Sequence, residues 1–367
     1  MRGKTWLILV AVLVISVPVL SACGSQPAQQ QPSGQAATQE PIKLLFATFE
    51  SENAGFMVEA VKAFGRDLEQ KTNGKVKVEY SYAQALGKIQ EYYDLVARGV
   101  CDAAFCAPFM VPGVFPLAEM TTLPFKLPSA EIATQAMYEV YKKGYLDEAY
   151  NKGVKLLFIA AGQGDPLTTT KKPVRTLQDF KGLKIKVSGG QQNPRVEAMG
   201  GVPVFISGAE VYLALERGTV DGQMAGYAPF PQFKWCELTR YATEPGMGAG
   251  NWAFFMNEAS YNKLPEDVRQ VIDEMAANNE YGLIGAKNLD RMAAAGKQCL
   301  IDHGAQIIKW EPAALQELSE KNKAVWEKWI SEREAKGLPA KKALDEMYRA
   351  LKQLGVDDPA YGYIPQG

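Results

Sequence analysis

Two basic residues stand where a small anion could bind, Lys186 near the end of a strand-like run and Arg195 at the start of a helical stretch. A helix N-terminus that faces a cleft favours anions, and a carboxylate accepts charge-assisted hydrogen bonds from both kinds of side chain. We therefore expect Lys186, Arg195 and backbone amides to hold a carboxylate. The alternatives are a solvated lysine at a sheet edge and a structural arginine.

Aromatic side chains are dense at the ends of the predicted strands, where ligands of open α/β sheets bind. Such rings could sandwich a planar or apolar ligand, because ring stacking adds about 0.5–1.5 kcal/mol beyond burial. Glu50, after the first strand, could contact a polar or cationic part of the ligand. The alternative is core packing for each ring and an ordinary surface loop for Glu50. The other residues predicted to contact the ligand are Phe49, Tyr82, Phe105, Phe109, Gln223, Tyr227 and Trp252.

Residues for catalysis or metal binding are few. His303 is the only histidine, and no Gly-x-Ser-x-Gly, His-Glu-x-x-His or Cys-x-x-Cys motif occurs. We therefore expect a binding protein and not an enzyme, with no cofactor and no metal. The formal net charge is −1 and no basic block occurs, so nucleic acid is not an expected partner.

The cysteines suggest one candidate disulfide. Cys101 and Cys106 flank a probable strand, whose rise of about 3.3 Å per residue holds them too far apart to bridge. We expect both to be buried free thiols. Cys236 and Cys299 are left as a candidate pair, since the sequence alone cannot choose a pairing.

The N-terminus is typical of an exported lipoprotein. Arg2 and Lys4 precede an apolar run that is too short to span a membrane, and Leu20-Ser21-Ala22-Cys23 follows. We predict a signal peptide at residues 1–22, a lipidated Cys23, and a flexible linker to residue 40 that is too polar to fold. The protein would then be periplasmic or on the cell surface, anchored by lipid to the cytoplasmic membrane. The alternative is an ordinary signal peptide with an incidental Cys23.

The rest of the chain alternates strand and helix patterns, which predicts an α/β fold with largely parallel sheets. The first such series is a strand at Ile42–Thr48, a helix within Ala54–Thr72 and a strand at Val76–Tyr82. A strand near Asn251–Met256 is expected to cross back to the first sheet. Pro265 is expected to open one long helix that reaches about Lys297.

Two lobes follow from this pattern. We predict lobe I from residues 41–163 plus 252–295. Lobe II, with two C-terminal helices, is predicted from residues 164–251 plus 296–367. The cleft between the lobes would hold the ligand.

Several motifs, in order along the chain, resemble the DctP-type solute-binding subunits of tripartite ATP-independent periplasmic (TRAP) transporters. The resemblance implies a two-lobe, periplasmic-binding-protein-like (Venus-flytrap) fold with crossing strands and a long inter-lobe helix. It also implies a small organic acid as ligand and integral membrane permease subunits as partners. The motifs are Gln84–Gly87 with Gly99–Asp102, Phe115–Leu117 with Leu123–Phe125, Thr168–Pro173 leading into Leu177–Val187, and Glu210–Gln223.

The resemblance fails at the family's usual carboxylate clamp. Lys186 stands where an arginine is usual, and no arginine occurs in Gly164–Pro166. Gln223 is followed by Met224-Ala225-Gly226, without the asparagine that is frequent there. One cation and several rings suit an aromatic or apolar monocarboxylate better than a dicarboxylate. The alternative is a neutral ligand, or service to a sensor or another transporter class.

Ligand capture is expected to work by hinge closure in a monomer. The candidate hinges are Gly162–Asp165 and Gly248–Asn251, because glycines there can absorb changes in backbone dihedral angles.

Overall fold

The computed structural model describes residues 40–53, 55–111, 113–146, 150 and 152–365. The predicted signal peptide, the predicted lipidation site at Cys23 and the predicted linker as far as residue 39 lie outside the described residues. Residues Glu40–Gly367 form one unit by their contacts. The strands are β1 (Ile42–Thr48), β2 (Val76–Ser81), β3 (Ala103–Cys106), β4 (Val154–Ala161), β5 (Asp165–Thr169), β6 (Lys184–Val187), β7 (Val202–Phe205), β8 (Gly222–Met224), β9 (Tyr241–Met247), β10 (Asn251–Asn257) and β11 (Gln306–Lys309).

The first sheet, sheet I, has the strand order β2-β1-β3-β10-β4. β1 pairs in parallel with β2 and β3, as the predicted strand–helix–strand order requires. β10 pairs antiparallel with β3 and β4, so it enters sheet I from a distant part of the chain. The predicted crossing strand is thus confirmed.

The second sheet, sheet II, has the order β11-β9-β5-β8-β6-β7. β6 pairs in parallel with β7 and β8, whereas β5 runs antiparallel to β8 and β9. The sequence patterns predict neither β5 nor β9. Each contains a proline, Pro166 or Pro245, and a proline counts against a strand because it removes a ladder donor.

Two short connections join the sheets, β4 to β5 and β9 to β10. They run side by side: the Gly162 N–H donates to the Gly250 carbonyl at 2.9 Å, and the Asp165 N–H donates to the Gly248 carbonyl at 2.8 Å. Both predicted hinge segments therefore lie at the sheet-to-sheet connections. That they move remains a prediction.

The helices cover both sheets. The helix predicted within Ala54–Thr72 is present, and α3, which the sequence patterns do not predict, packs against β4. The helices are α1 (Val58–Lys71), α2 (Tyr92–Ala97), α3 (Ala130–Lys142), α4 (Leu177–Phe180), α5 (Gln192–Ala198), α6 (Val211–Glu216), α7 (Glu258–Asn262), α8 (Glu266–Ala276), α9 (Glu280–Asp302), α10 (Pro312–Glu334) and α11 (Ala340–Gln353).

The prediction of a single helix from Pro265 to about Lys297 is wrong. The chain forms α8 and α9, separated at Asn279, whose φ of 53° is left-handed. The Asn279 amide holds this break against β4, because it accepts a hydrogen bond from Ile159 N at 2.8 Å and donates one to Ile159 O at 3.0 Å. Asparagine tolerates the left-handed conformation better than most residues.

α9 is a long helix that contacts elements on the side of sheet I and elements on the side of sheet II. It has 23 residues, which is about 34 Å at the usual helical rise. In the first half of α9, Asn288 donates to the carbonyl of Phe56, just before α1, at 2.7 Å. Near its end, Lys297 pairs with Glu244 of β9 at 2.7 Å, and a disulfide joins Cys299 to Cys236. α9 therefore fastens the α1 side of the molecule to sheet II.

The prediction of two C-terminal helices is confirmed. Pro339 lies between α10 and α11, as expected. α10 packs against α5 beside sheet II, whereas α11 packs against α3 beside sheet I. The predicted residue bounds of the lobes remain a prediction. Among the described residues, none of the helices is both long and apolar enough to cross a membrane.

Candidate functional site

Lys186 is buried, with 4% of its surface exposed, and is not the solvated edge lysine of the alternative interpretation. It lies in β6, where its neighbours Ile185 and Val187 point into the core on the opposite face of sheet II. Its ammonium donates to Ser188 Oγ at 2.6 Å and lies 6.0 Å from the centre of the Trp235 ring. An ammonium has three N–H donors, so this contact leaves Lys186 capacity for a ligand.

Gln223 lies directly beside Lys186, paired with it in the parallel register of β8 and β6. Both side chains therefore share one face of the sheet, near the carboxyl ends of two parallel strands. Gln223 is fully buried, and neither atom of its amide has a hydrogen-bond partner among the described residues. The Nε1 atom of Trp235 is also buried and has no hydrogen-bond partner among the described residues. Buried polar groups are almost always paired, so the Gln223 amide can accept and donate hydrogen bonds to a further group on this face; that the group is a ligand remains a prediction.

Arg195 is fully buried in the middle of α5. The prediction that Arg195 opens this helix is wrong, because α5 begins at Gln192. Its guanidinium donates to the carbonyl of Thr122 at 3.0 Å and to the carbonyl of Met247 at the end of β9. Arg195 thus holds the backbone beside the two connections, and its contact with ligand remains a prediction.

Asp165 links the two buried cations. It is 7% exposed, its Oδ2 accepts a hydrogen bond from Gln192 Nε2 at 2.7 Å, and it lies 4.0 Å from Arg195 Nη2. Burial raises the pKa of Asp165 to about 6, against the opposing effects of Arg195 and Lys186. Burial lowers the pKa of Lys186 to about 8 and that of Arg195 to about 10, with Asp165 opposing both shifts. Asp165 therefore interacts electrostatically with each of the two buried cations.

Phe109 and Trp252 form an aromatic pair close to the loop between β6 and α5. Their rings meet edge to face with centroids 6.0 Å apart, and the Phe56 ring packs against Trp252 at 4.8 Å. A Cβ added at Gly189 would lie 3.6 Å from the Phe109 carbonyl oxygen. The Phe109 backbone therefore adjoins the loop that follows Lys186, whereas the Phe109 ring lies beside Gly250 and the Trp252 ring beside Gly162, at the two connections.

The other aromatic residues predicted to contact the ligand pack against residues other than Phe109 and Trp252. Phe49 stacks on Phe105 at 5.2 Å, and Phe105 is fully buried in sheet I. Tyr82 stacks on Tyr80 at 5.7 Å. The Tyr227 hydroxyl donates to Glu244 Oε1 at 2.9 Å.

Glu50 anchors the start of α1. Its carboxylate accepts hydrogen bonds from the backbone N–H groups of Phe56 at 3.2 Å and Met57 at 3.0 Å. Helix N-termini favour such a carboxylate, although burial raises the pKa of Glu50 to about 8. The structure thus gives Glu50 a capping contact, and a role toward the ligand remains a prediction.

Two surface cavities lie apart from these residues. One, of about 230 Å³, lies between α3, β4 and α8, and the other, of about 160 Å³, adjoins Lys171, Lys172 and Asp221. Neither is lined by a residue predicted to contact the ligand.

The disulfide between Cys236 and Cys299 confirms the candidate pair from the sequence, and Cys101 and Cys106 are buried free thiols as expected. Three buried residues of the site, Asp165, Gln192 and Trp235, were missed by the sequence analysis. One signal in the sequence could have indicated Asp165. It is an acidic residue in Gly164–Pro166, the segment in which the family resemblance implies an arginine. Trp235 follows no periodic pattern, so only the fold brings it to Lys186.

Comparison with known proteins assigns the chain to a family. Residues 46–333 match the family described as bacterial extracellular solute-binding protein, family 7, also named DctP. The C4-dicarboxylate-binding periplasmic protein DctP of Rhodobacter capsulatus is 27% identical over 299 residues, which cover 80% of this chain and 86% of the relative.

Solved structures agree. A marine metagenome TRAP solute-binding protein specific for aromatic acid ligands, in complex with metahydroxyphenylacetate, has 25% identity and a TM-score of 0.79, covering 86% of this chain and 100% of its own. A TRAP periplasmic solute-binding protein from Bordetella bronchiseptica with bound (R)- and (S)-mandelate has 26% identity and a TM-score of 0.77, again covering 86% and 100%. The chain therefore belongs to the DctP family of bacterial extracellular solute-binding proteins, with the two-lobe fold of TRAP solute-binding subunits.

Proposed function

We propose that this protein captures a small organic acid with one carboxylate and delivers it to a TRAP-type membrane permease. The observation that carries the proposal is the buried Lys186 beside the unpartnered amide of Gln223. A carboxylate accepts charge-assisted hydrogen bonds from an ammonium, and an amide N–H adds a further donor. Binding would therefore give the Gln223 amide a partner and add a charge-assisted hydrogen bond to the Lys186 ammonium, which otherwise donates to Ser188.

The apolar part of the ligand is assigned to the rings of Phe109 and Trp252. The Phe109 backbone adjoins the loop that follows Lys186, and the two rings lie beside the connections at Gly250 and Gly162, so an aromatic or apolar body extending from the carboxylate toward the connections would reach them. Similar proteins crystallised with mandelate and with metahydroxyphenylacetate support an aromatic monocarboxylate. Such ligands bury apolar area against rings while presenting one charge.

Capture proceeds by closure of the two lobes about the paired connections at Gly162–Asp165 and Gly248–Asn251. A ligand favours the closed form only through contacts that it makes better there. The ammonium of Lys186 in sheet II and the rings of Phe109 and Trp252 on the sheet I side are the contacts that closure would bring onto one ligand.

The protein works outside the cytoplasmic membrane as a lipid-anchored monomer. Cys23 carries the lipid, and residues 24–40 form the tether. The integral permease subunits receive the ligand. Replacing Cys23 by serine should move the protein from the membrane fraction to the soluble fraction of cells, and membrane retention of the variant would contradict the anchor.

The ligand is tested by calorimetric titration and thermal shift on the mature chain with Cys23→Ser. The probes are benzoate, mandelate, butyrate, and benzamide as a neutral control. Lys186→Ala should abolish binding of the acids, whereas Lys184→Ala, which removes an exposed lysine of the same strand, should leave it intact. A bound ligand at a hundredfold excess over Kd stabilises the fold by about 2.7 kcal/mol.

Binding of benzamide alone, unaffected by Lys186→Ala, would mean that the ligand is neutral. Equal loss in both lysine variants would mean that Lys186 contributes only through the overall charge.

A further inference from the structure

Asp165 is a charged residue whose burial the capture of an acid does not by itself explain. It begins β5 immediately after the first connection, and it is 7% exposed. Its carboxylate is held by Gln192 at 2.7 Å and lies 4.0 Å from Arg195 Nη2. A site that only needed to attract anions would not keep a carboxylate among its cations, because that carboxylate repels the ligand.

The buried charges leave room for one negative charge. Lys186 and Arg195 each carry one positive charge, and both are almost completely buried. Asp165 neutralises one of them, so among these three described side chains one positive charge is left over. Buried charges are tolerated when they are paired, and an unpaired one is strongly destabilising.

We propose that Asp165 is a specificity-determining residue that limits the ligand to one negative charge. This inference rests on the proposed function of the same site. A monocarboxylate completes the neutralisation of Lys186 and Arg195. The second carboxylate of a dicarboxylate would meet Asp165 with no free cation to pair with it, and like charges in a poorly solvated site repel one another strongly.

The alternative explanation is that Asp165 only positions Arg195 and Gln192. Both explanations predict that changing Asp165 alters stability, so stability cannot separate them. The ratio of affinities for a monoacid and a diacid separates them, because a purely structural role would weaken both acids equally.

The test uses two matched pairs of ligands, butyrate with succinate and benzoate with isophthalate, on the mature chain with Cys23→Ser. Calorimetry at neutral pH gives the Kd of each ligand. Wild type should bind the monoacid of a pair at least about tenfold more tightly than the diacid. Asp165→Asn keeps the shape and an acceptor for Gln192, and it should shift this ratio toward the diacid by about tenfold or more.

The matched control is Asp267→Asn, which removes one negative charge from the exposed start of α8 and should leave the ratio unchanged. A wild type that prefers the diacid would overturn the inference even if the Asp165 variant fails to fold. Monoacid binding with the same ratio in Asp165→Asn would also overturn it, while the proposed function would stand. If wild type binds no acid of either pair, the proposed function fails and the inference fails with it.

Discussion

The guanidinium of Arg195 in α5 donates a hydrogen bond to the backbone carbonyl of Thr122, at 3.0 Å, so a side chain beside sheet II holds the segment that precedes α3 beside sheet I. The same group bonds the Met247 carbonyl, next to the second connection. Arg195 therefore joins two backbone segments by hydrogen bonds at the junction of the lobes.

Replacing Arg195 by leucine should destabilise the protein by about 3–5 kcal/mol, because two carbonyls lose a donor and Asp165 loses its nearest guanidinium. Chemical denaturation of the unliganded protein measures the loss. Arg217→Leu, at the exposed end of α6, is the control and should cost less than about 0.5 kcal/mol. Equal, small effects would show that the buried contacts of Arg195 contribute little.

Ligand affinity should fall in two steps as the pH rises. Asp165 has a pKa raised to about 6, and its ionisation places a negative charge next to the ligand carboxylate. Lys186 has a pKa lowered to about 8, and above that value the ammonium loses the proton that the carboxylate needs. The association constant should therefore decrease through about pH 6, and above about pH 8 by roughly tenfold per pH unit.

Titration of benzoate binding from about pH 5 to about pH 9 tests both steps. Asp165→Asn should remove the lower step only. Lys186→Arg should remove the upper step only, because a guanidinium stays charged across this range. A profile that is flat in wild type would contradict both assignments.

Gly248 should not accept a side chain. Its φ is +56°, and an added Cβ would lie 2.2 Å from Arg195 Nη1 and 2.5 Å from the Leu123 carbonyl oxygen. Gly248→Ala should therefore be more destabilising than the conformational cost of a positive φ alone, which is about 1–2 kcal/mol. Gly304 is the matched control, because its φ is +79° and nothing lies within 4 Å of its added Cβ.

The measurement compares the denaturation midpoints of Gly248→Ala and Gly304→Ala. We expect the first to lose about 1–3 kcal/mol more than the second, from overpacking against Arg195 and Leu123. Equal losses would mean that the connection relaxes without cost.

Asn279 should be needed for the break between α8 and α9. Asn279→Ala removes both side-chain hydrogen bonds to Ile159 of β4 and forces alanine into a left-handed conformation. We expect a loss of about 2–4 kcal/mol in unfolding free energy. Asn73→Ala, at an exposed residue with a φ of 52°, isolates the conformational part of that loss. If both variants lose the same amount, the bonds to Ile159 add nothing.

The sequence predicts much of sheet I because its strands are apolar runs between clear turn signals. Ile42–Thr48 is such a run, and Val76–Ser81 alternates apolar and polar residues, which is an equally clear strand pattern. It predicts sheet II less completely, since β5 and β9 contain prolines and are stabilised by their pairing in the sheet. The break at Asn279 has no local breaker such as proline or glycine. It depends on a contact with β4, which helix periodicity cannot reveal.

The candidate site also has a part that the sequence predicts and a part that depends on tertiary contacts. Lys186 and Gln223 could be found because each lies in a recognisable motif, and the fold then places them side by side. The contact of Lys186 with Trp235 and the pairing of Asp165 with Gln192 join segments that are distant in sequence. Glu50 was predicted from its loop, but its contacts with Phe56 and Met57 could not be seen before the turn was known.

The central place of β10 in sheet I determines the order in which the molecule can fold. β10 lies between β3 and β4, but the chain reaches it only after all of β5–β9 has been made. Until Asn257 is available, β3 and β4 each present an unpaired edge, which is a hazard for aggregation. Folding therefore cannot proceed lobe by lobe from the N-terminus. Such non-local pairing slows folding, so in a chain that is still being synthesised sheet I stays incomplete until β10 has been made.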